Sequence, residues 1–206
     1  VSLGGNVLLK WLGENPEQRS IAAAASISVP YDLAAGGRHM EFGLGPRYVA
    51  HLLSTLKRKA ADHAQRFPGA AERIDLPRAL RAASFFEFDD AATAPLHGFA
   101  GAKDYYARSS SLGFVAKIGT PTLAISSDDD PFLPPSVLDA VETAKSAAVT
   151  LVRTRRGGHV GFVGGGLRPR HWAEEAVMGW FAHSVGQGTT GRAGTSPAPT
   201  PPVGTR

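Results

Sequence analysis

Cysteine is absent from the 206 residues, which excludes disulfides and thiolate metal sites and fits a cytoplasmic protein. No H-E-x-x-H pattern occurs, so no metal site is expected. No apolar run approaches the roughly 18 to 20 residues that a membrane helix needs, and no transmembrane segment is expected. Neither sign of charge dominates: 22 Lys and Arg face 18 Asp and Glu, a net charge of +4. Apart from Lys57-Arg58-Lys59 and Arg153, Arg155 and Arg156, these charges are interspersed. They read as solvated faces, not as a nucleic-acid surface. An initiator Met and a signal-peptide pattern are also missing, which favours a truncated product over a natural start. What is present is a 43% hydrophobic chain, long enough for one domain with a sizeable core.

Val7, Leu8, Trp11 and Leu12 recur at helical spacing until Gly13-Glu14-Asn15-Pro16 stops them. Ile21 to Val29, rich in small and β-branched residues, predicts a buried parallel strand. The stretch from about Leu33 to Lys117 reads as helical. Tyr48, Leu52 and Leu56 lie four apart, Phe67-Pro68-Gly69 breaks the pattern, and Asp75-Leu76-Pro77 predicts a helix cap with proline in the first turn. Strand signals return at Thr120 to Ser126 and Ala148 to Thr154, with a helix between them from about Pro134 to Ala144. Trp172, Ala173, Ala176, Val177, Trp180 and Phe181 form an apolar helical stripe within Arg170 to His183. The Gly/Ser/Thr/Pro-rich tail, 186–206, has only Val203 to bury and is expected to be disordered. Strands alternating with helices predict an α/β fold with a parallel sheet.

Three segments carry candidate chemistry. Val1-Ser2-Leu3-Gly4 matches the right half of a G-x-S-x-G turn, in which small neighbours expose a serine hydroxyl. A hydrophobic strand runs out into Asp128-Asp129-Asp130-Pro131-Phe132, where parallel sheets place their active sites. His159 follows the last strand within Gly157-Gly158-His159-Val160-Gly161-Phe162. A serine hydroxyl needs an imidazole to take its proton and a carboxylate to orient that imidazole. The residues alone leave all three acids open. His97, among the other histidines, is the one that could face a pocket. Gly164-Gly165-Gly166 lacks the lysine of a phosphate-binding loop and reads as a linker.

In combination these segments resemble the α/β-hydrolase superfamily, and within it the YheT-like branch that includes the AB-hydrolase-domain proteins. Phe88-Asp89, His97-Gly98-Phe99 and Tyr105-Tyr106 belong to the same resemblance, which runs from Val1 to about Val185. It implies a partial α/β-hydrolase fold: the last three parallel strands with flanking helices, plus a helical cap insertion over 33–117. It implies Ser2 as nucleophile, His159 as base and Asp130, immediately before Pro131-Phe132, as the acid. It implies the N–H of Leu3 as one oxyanion-hole donor. In such proteins the elbow follows the fifth strand, so the chain is expected to lack the N-terminal half, including the second oxyanion donor. The strand at Ile21 to Val29 is then expected to have an unpaired edge.

The expected function is hydrolysis of carboxylic esters by a serine hydrolase with no cofactor and no metal. The expected substrate is a small-molecule or lipid-like ester, with no nucleic acid as partner; the sequence does not set the oligomeric state. The competing reading is a catalytically inactive hydrolase remnant, or a fragment that associates with a partner completing its sheet.

Overall fold

The computed structural model describes residues 1–164, 170–188 and 199. These divide into a sheet unit, Val1–Tyr31 with Ser110 onward, and a helical unit, Asp32–Ser109.

In the sheet unit, helix α1 (Ser2–Glu14) precedes strand β1 (Ala24–Ile27). Strand β1 pairs in parallel with β2 (Thr122–Ser127), and β2 in parallel with β3 (Val149–Thr154), giving the order β1-β2-β3. The central strand β2 is buried along its whole length. Its side chains alternate between two cores, as a strand's period of two requires. Ala124 joins Leu9 and Leu12 of α1 and Leu138 and Val141 of the helix Pro135–Ala144 on one face. Leu123 and Ile125 join Ala173, Ala176 and Trp180 of the helix Trp172–Gly188 on the other. The result is a parallel sheet with helices on both faces, a partial α/β-hydrolase arrangement.

The strand expected over Ile21 to Val29 is shorter, because Ser28 takes a left-handed backbone (φ 52°) that ends the extended run. A two-residue antiparallel pair, β4 (Val163–Gly164) with β5 (Arg170–His171), has no counterpart among the expected strands. Residues 165–169 lie outside the described residues, and with them most of the glycine run. The last helix continues to Gly188; apart from Pro199, the remainder of the tail expected to be disordered also lies outside them.

Helix α1 starts where it does because Gly5 lets it approach the end of β1. A Cβ at Gly5 would lie 2.6 Å from Val29 Cγ2 and 3.4 Å from Ser26 Cβ. Gly4, by contrast, faces open space. Gly5→Val is therefore expected to destabilise the sheet unit by about 1–3 kcal/mol, as overpacking does, while Gly4→Ala stays within about 1 kcal/mol, the usual cost of such a surface change. Denaturant midpoints of the two variants measure the difference.

The helical unit runs through α2 (Leu33–His39), α3 (Gly45–Arg66), α4 (Pro68–Ala71), α5 (Leu76–Arg81), α6 (Phe85–Phe88), α7 (Ala94–Leu96) and α8 (Ala102–Ser109). Asp75 caps α5 by accepting a bond from Arg78 N, with Pro77 in its first turn. A π-helical turn over Asp89–Thr93 carries Asp89, whose carboxylate accepts bonds from Tyr106 Oη (2.7 Å) and Thr93 Oγ1 (2.6 Å). Burial pushes the Asp89 carboxyl above its ordinary range, against the lowering effect of these two bonds. Tyr105 packs its ring against Phe99 and Tyr106. The Phe-Asp and Tyr-Tyr segments thus hold this unit together internally. His97 is exposed. Residues 111–117, counted with the insert on sequence grounds, form 3-10 turns whose Val115 belongs to the α1 core.

Candidate active site

Three chain segments meet at the carboxyl edge of the sheet. Ser2 opens α1, whose N-terminal turn abuts the end of β1 through Gly5. Asp130 lies in the loop leaving β2, and His159 in the loop leaving β3. Although Ser2 and His159 are 157 positions apart in the sequence, His159 Nε2 is 2.8 Å from Ser2 Oγ. On the other side of the ring, Nδ1 lies 2.8 Å from Asp130 Oδ2 and 3.1 Å from Oδ1.

The donors follow from the chemistry of the partners. An ionised carboxylate only accepts, so Nδ1 carries the proton and donates a hydrogen bond to Asp130. Nε2 of the neutral ring is then left with its lone pair and accepts from the Ser2 hydroxyl. Such a ring can take the serine proton as the oxygen attacks an electrophile. The Asp130 side chain is 0% exposed and that of His159 14% exposed, so water competes little for either bond. Asp130 Oδ1 also accepts a bond from Phe132 N (2.9 Å), which fixes the carboxylate plane. The Phe132 ring packs on the imidazole at 4.4 Å between centroids.

Ser2 itself has φ 50°, in the left-handed region that residues with a side chain seldom occupy. Holding it there costs about 1–2 kcal/mol, a strain of the kind that collects at functional sites. Leu3 follows in the first helical turn, where backbone N–H groups have no intrahelical acceptor and the helix dipole is positive.

The two acids before Asp130 are committed elsewhere. Asp128 pairs with Arg153, which also binds Asp139. Hydrogen bonds to Asp139 and then Asp128 raise the Arg153 pKa and hold the guanidinium protonated. Asp129 has a function that its sequence position alone does not reveal: its Oδ1 accepts from Gly157 N (2.9 Å) and Gly158 N (2.8 Å), tying the β2 loop to the loop that carries His159. Ser127 Oγ reinforces this by donating to Gly158 O (2.6 Å). Glycine is required at 157, where a Cβ would lie 2.6 Å from the buried Phe162 ring.

Asp129→Ala removes both anchors. The expected result is a ten- to hundredfold loss of turnover, the scale of a roughly 1 Å misplacement of a reacting group. Asp129→Asn keeps an acceptor oxygen and is expected to recover most of it. Steady-state kinetics of the two variants separate anchoring from charge.

Among the described residues no group of three His, Asp or Glu side chains is placed to hold a metal ion, and no helix is long and apolar enough to cross a membrane.

Comparison with curated proteins places this geometry in context. The chain is 38% identical over 181 residues to the "Putative esterase YheT" of Escherichia coli, a match covering 87% of this chain and 53% of that protein. It is 34% identical over 167 residues to the mouse phospholipase ABHD3 (80% of this chain, 40% of that one). It is 30% identical over 198 residues to the zebrafish monoacylglycerol lipase ABHD2 (90% and 47%). The chain is homologous to the YheT and ABHD group of α/β-hydrolase-like proteins. It spans about half the length of these curated relatives. No family model and no solved structure matches it. The YheT/ABHD homology carries a family-level likeness to serine hydrolases, and with it the expectation of hydrolase chemistry.

Proposed function

We propose that the protein is a serine hydrolase that cleaves carboxylic esters, with Ser2 as nucleophile, His159 as general base and acid, and Asp130 as the group that orients the imidazole. The observation carrying this reading is the continuous hydrogen-bonded path from Ser2 Oγ through both nitrogens of His159 to a buried carboxylate. The relatives' names add support, since they are those of an esterase, a phospholipase and a monoacylglycerol lipase. Two of the three concern lipids, so a lipid-like ester is the substrate class we favour.

The reaction runs in two halves. Ser2 Oγ attacks the ester carbonyl carbon as its proton passes to His159 Nε2, and the carbonyl oxygen becomes an oxyanion. The N–H of Leu3 is one donor that would hold this charge. Collapse of the tetrahedral species breaks the bond to the alkoxy oxygen, which leaves as the alcohol with the proton from Nε2. Water then attacks the acyl-serine, giving its proton to the same nitrogen, and the carboxylic acid departs as Ser2 is regenerated. Asp130 stays ionised throughout and stabilises the imidazolium. No cofactor enters this scheme.

A fluorophosphonate probe tests the assignment on the natural protein that contains these residues. Its phosphorus is expected on the peptide bearing Ser2, located by mass spectrometry, with loss of esterase activity in proportion. A preparation that hydrolyses esters while its adduct maps to another serine would overturn the reading.

A further inference from the structure

We propose that the loop before α3 and the exposed side of that helix form a docking face for an anionic lipid surface. Phe42 is 74% exposed and Leu44 62%, and Tyr48 and Leu52 are 45% and 40% exposed. Leu44, Tyr48 and Leu52 lie four apart and therefore share one side of the helix. Gly45, Val49 and Leu53 are its buried residues. The unit thus covers one stripe of α3 and leaves a second, equally apolar stripe in water. Large apolar side chains grouped on a surface mark contact with something apolar.

The loop bearing Phe42 is ordered by its own backbone. Glu41 N donates to Arg38 O (3.2 Å), Phe42 N to His39 O (3.4 Å) and Gly45 N to Phe42 O (3.0 Å). Exposure of the ring is therefore built into the turn.

Charge decides the kind of partner. From Gly45 to Arg66 the helix carries Arg47, Lys57, Arg58, Lys59 and Arg66 against Asp62 alone. Among the described residues these five cations enter no ion pair. A helix with exposed aliphatic and aromatic side chains at one end and unpaired cations around and beyond them matches an interface of acyl chains and anionic headgroups. A nucleic-acid backbone would satisfy the cations and leave Phe42 and Leu44 in water. The face lies wholly within the helical unit and its occupation requires no turnover, so it stands or falls apart from the hydrolase reading.

Vesicle flotation of the natural protein tests it, using phosphatidylcholine alone and phosphatidylcholine with roughly one-third phosphatidylglycerol. Binding to the anionic vesicles is expected to exceed binding to the neutral ones by about tenfold or more, and to weaken as salt screens the cations. Joint replacement Phe42→Ser and Leu44→Ser is expected to reduce anionic-vesicle binding about tenfold. Joint replacement Arg58→Gln and Lys59→Gln is expected to reduce it similarly and to flatten the salt dependence. All four positions are exposed, so melting temperatures should hold, and the two pairs provide independent tests of one face. Wild-type protein that floats with neither vesicle, or variants that bind as well as wild type, would overturn the proposal. So would self-association that the Phe42/Leu44 pair abolishes, which assigns the face to a second copy. Protection of Phe42 and Leu44 from hydroxyl-radical labelling without vesicles would also overturn it, because the face would already be covered within the protein.

Discussion

Ser2→Ala is expected to lower ester turnover by about 10⁴- to 10⁶-fold while leaving KM within a few-fold, the pattern for loss of a group that acts only in bond making. The substituted side chain loses one oxygen, 2.8 Å from His159 Nε2, and alanine accepts the same backbone. The left-handed φ of 50° strains serine and alanine about equally. The fold is therefore not at stake, and thermal unfolding should move little. A double variant gives the sharper result. Adding His159→Ala to Ser2→Ala is expected to cost almost nothing further, because a base without its nucleophile has no proton to remove. Multiplicative losses, or a Ser2→Ala protein within tenfold of wild type, would exclude Ser2 as the attacking group. The readouts are steady-state kcat and KM on a short-chain ester, with each protein's melting temperature as control.

The parts of the sheet unit legible in the sequence are those where burial imposes a pattern. Thr120 to Ser126 announces β2, and the strand is buried on both faces, so nearly every residue is apolar or small. The stripe from Trp172 to Phe181 announces the last helix because one side of it packs on Leu123 and Ile125. Helix α3 shows what periodicity leaves open. Tyr48 and Leu52 signal the helix, yet they face water, and Val49 and Leu53, one residue further along, are buried. Spacing fixes the period of a helix but not which of two apolar stripes meets the core. The π-turn at Asp89 and the two-residue strands β4 and β5 leave no periodic trace at all, being too short for one. At the site, the order serine, acid, histidine was visible, and the resemblance selected Asp130. The separate employments of Asp128 and Asp129 depend on where Arg153 and the Gly157-Gly158 amides arrive in space, which no local spacing encodes.

Asp130→Asn separates position from charge at the same site and is expected to reduce kcat about 10⁴-fold. The side chain would keep its shape, and its immediate surroundings dictate how the amide settles. Phe132 N donates to Oδ1 in the wild type, and an amide nitrogen cannot accept that bond. The new carboxamide must therefore turn its oxygen toward Phe132 N and its NH2 toward His159 Nδ1. A donor facing Nδ1 forces that nitrogen to accept, so the ring proton moves to Nε2. Nε2–H then points at Ser2 Oγ and cannot take its proton. The ring stays in place and works as the wrong tautomer. Hydroxide can strip the serine proton without the ring, so the variant's residual rate is expected to climb with pH. Asp130→Ala supplies the contrast: it loses both the orienting bond and the packing under His159, and its melting temperature is expected to fall as well. A wild-type rate in Asp130→Asn, with labelling at Ser2 intact, would mean that the buried carboxylate supports the loop alone.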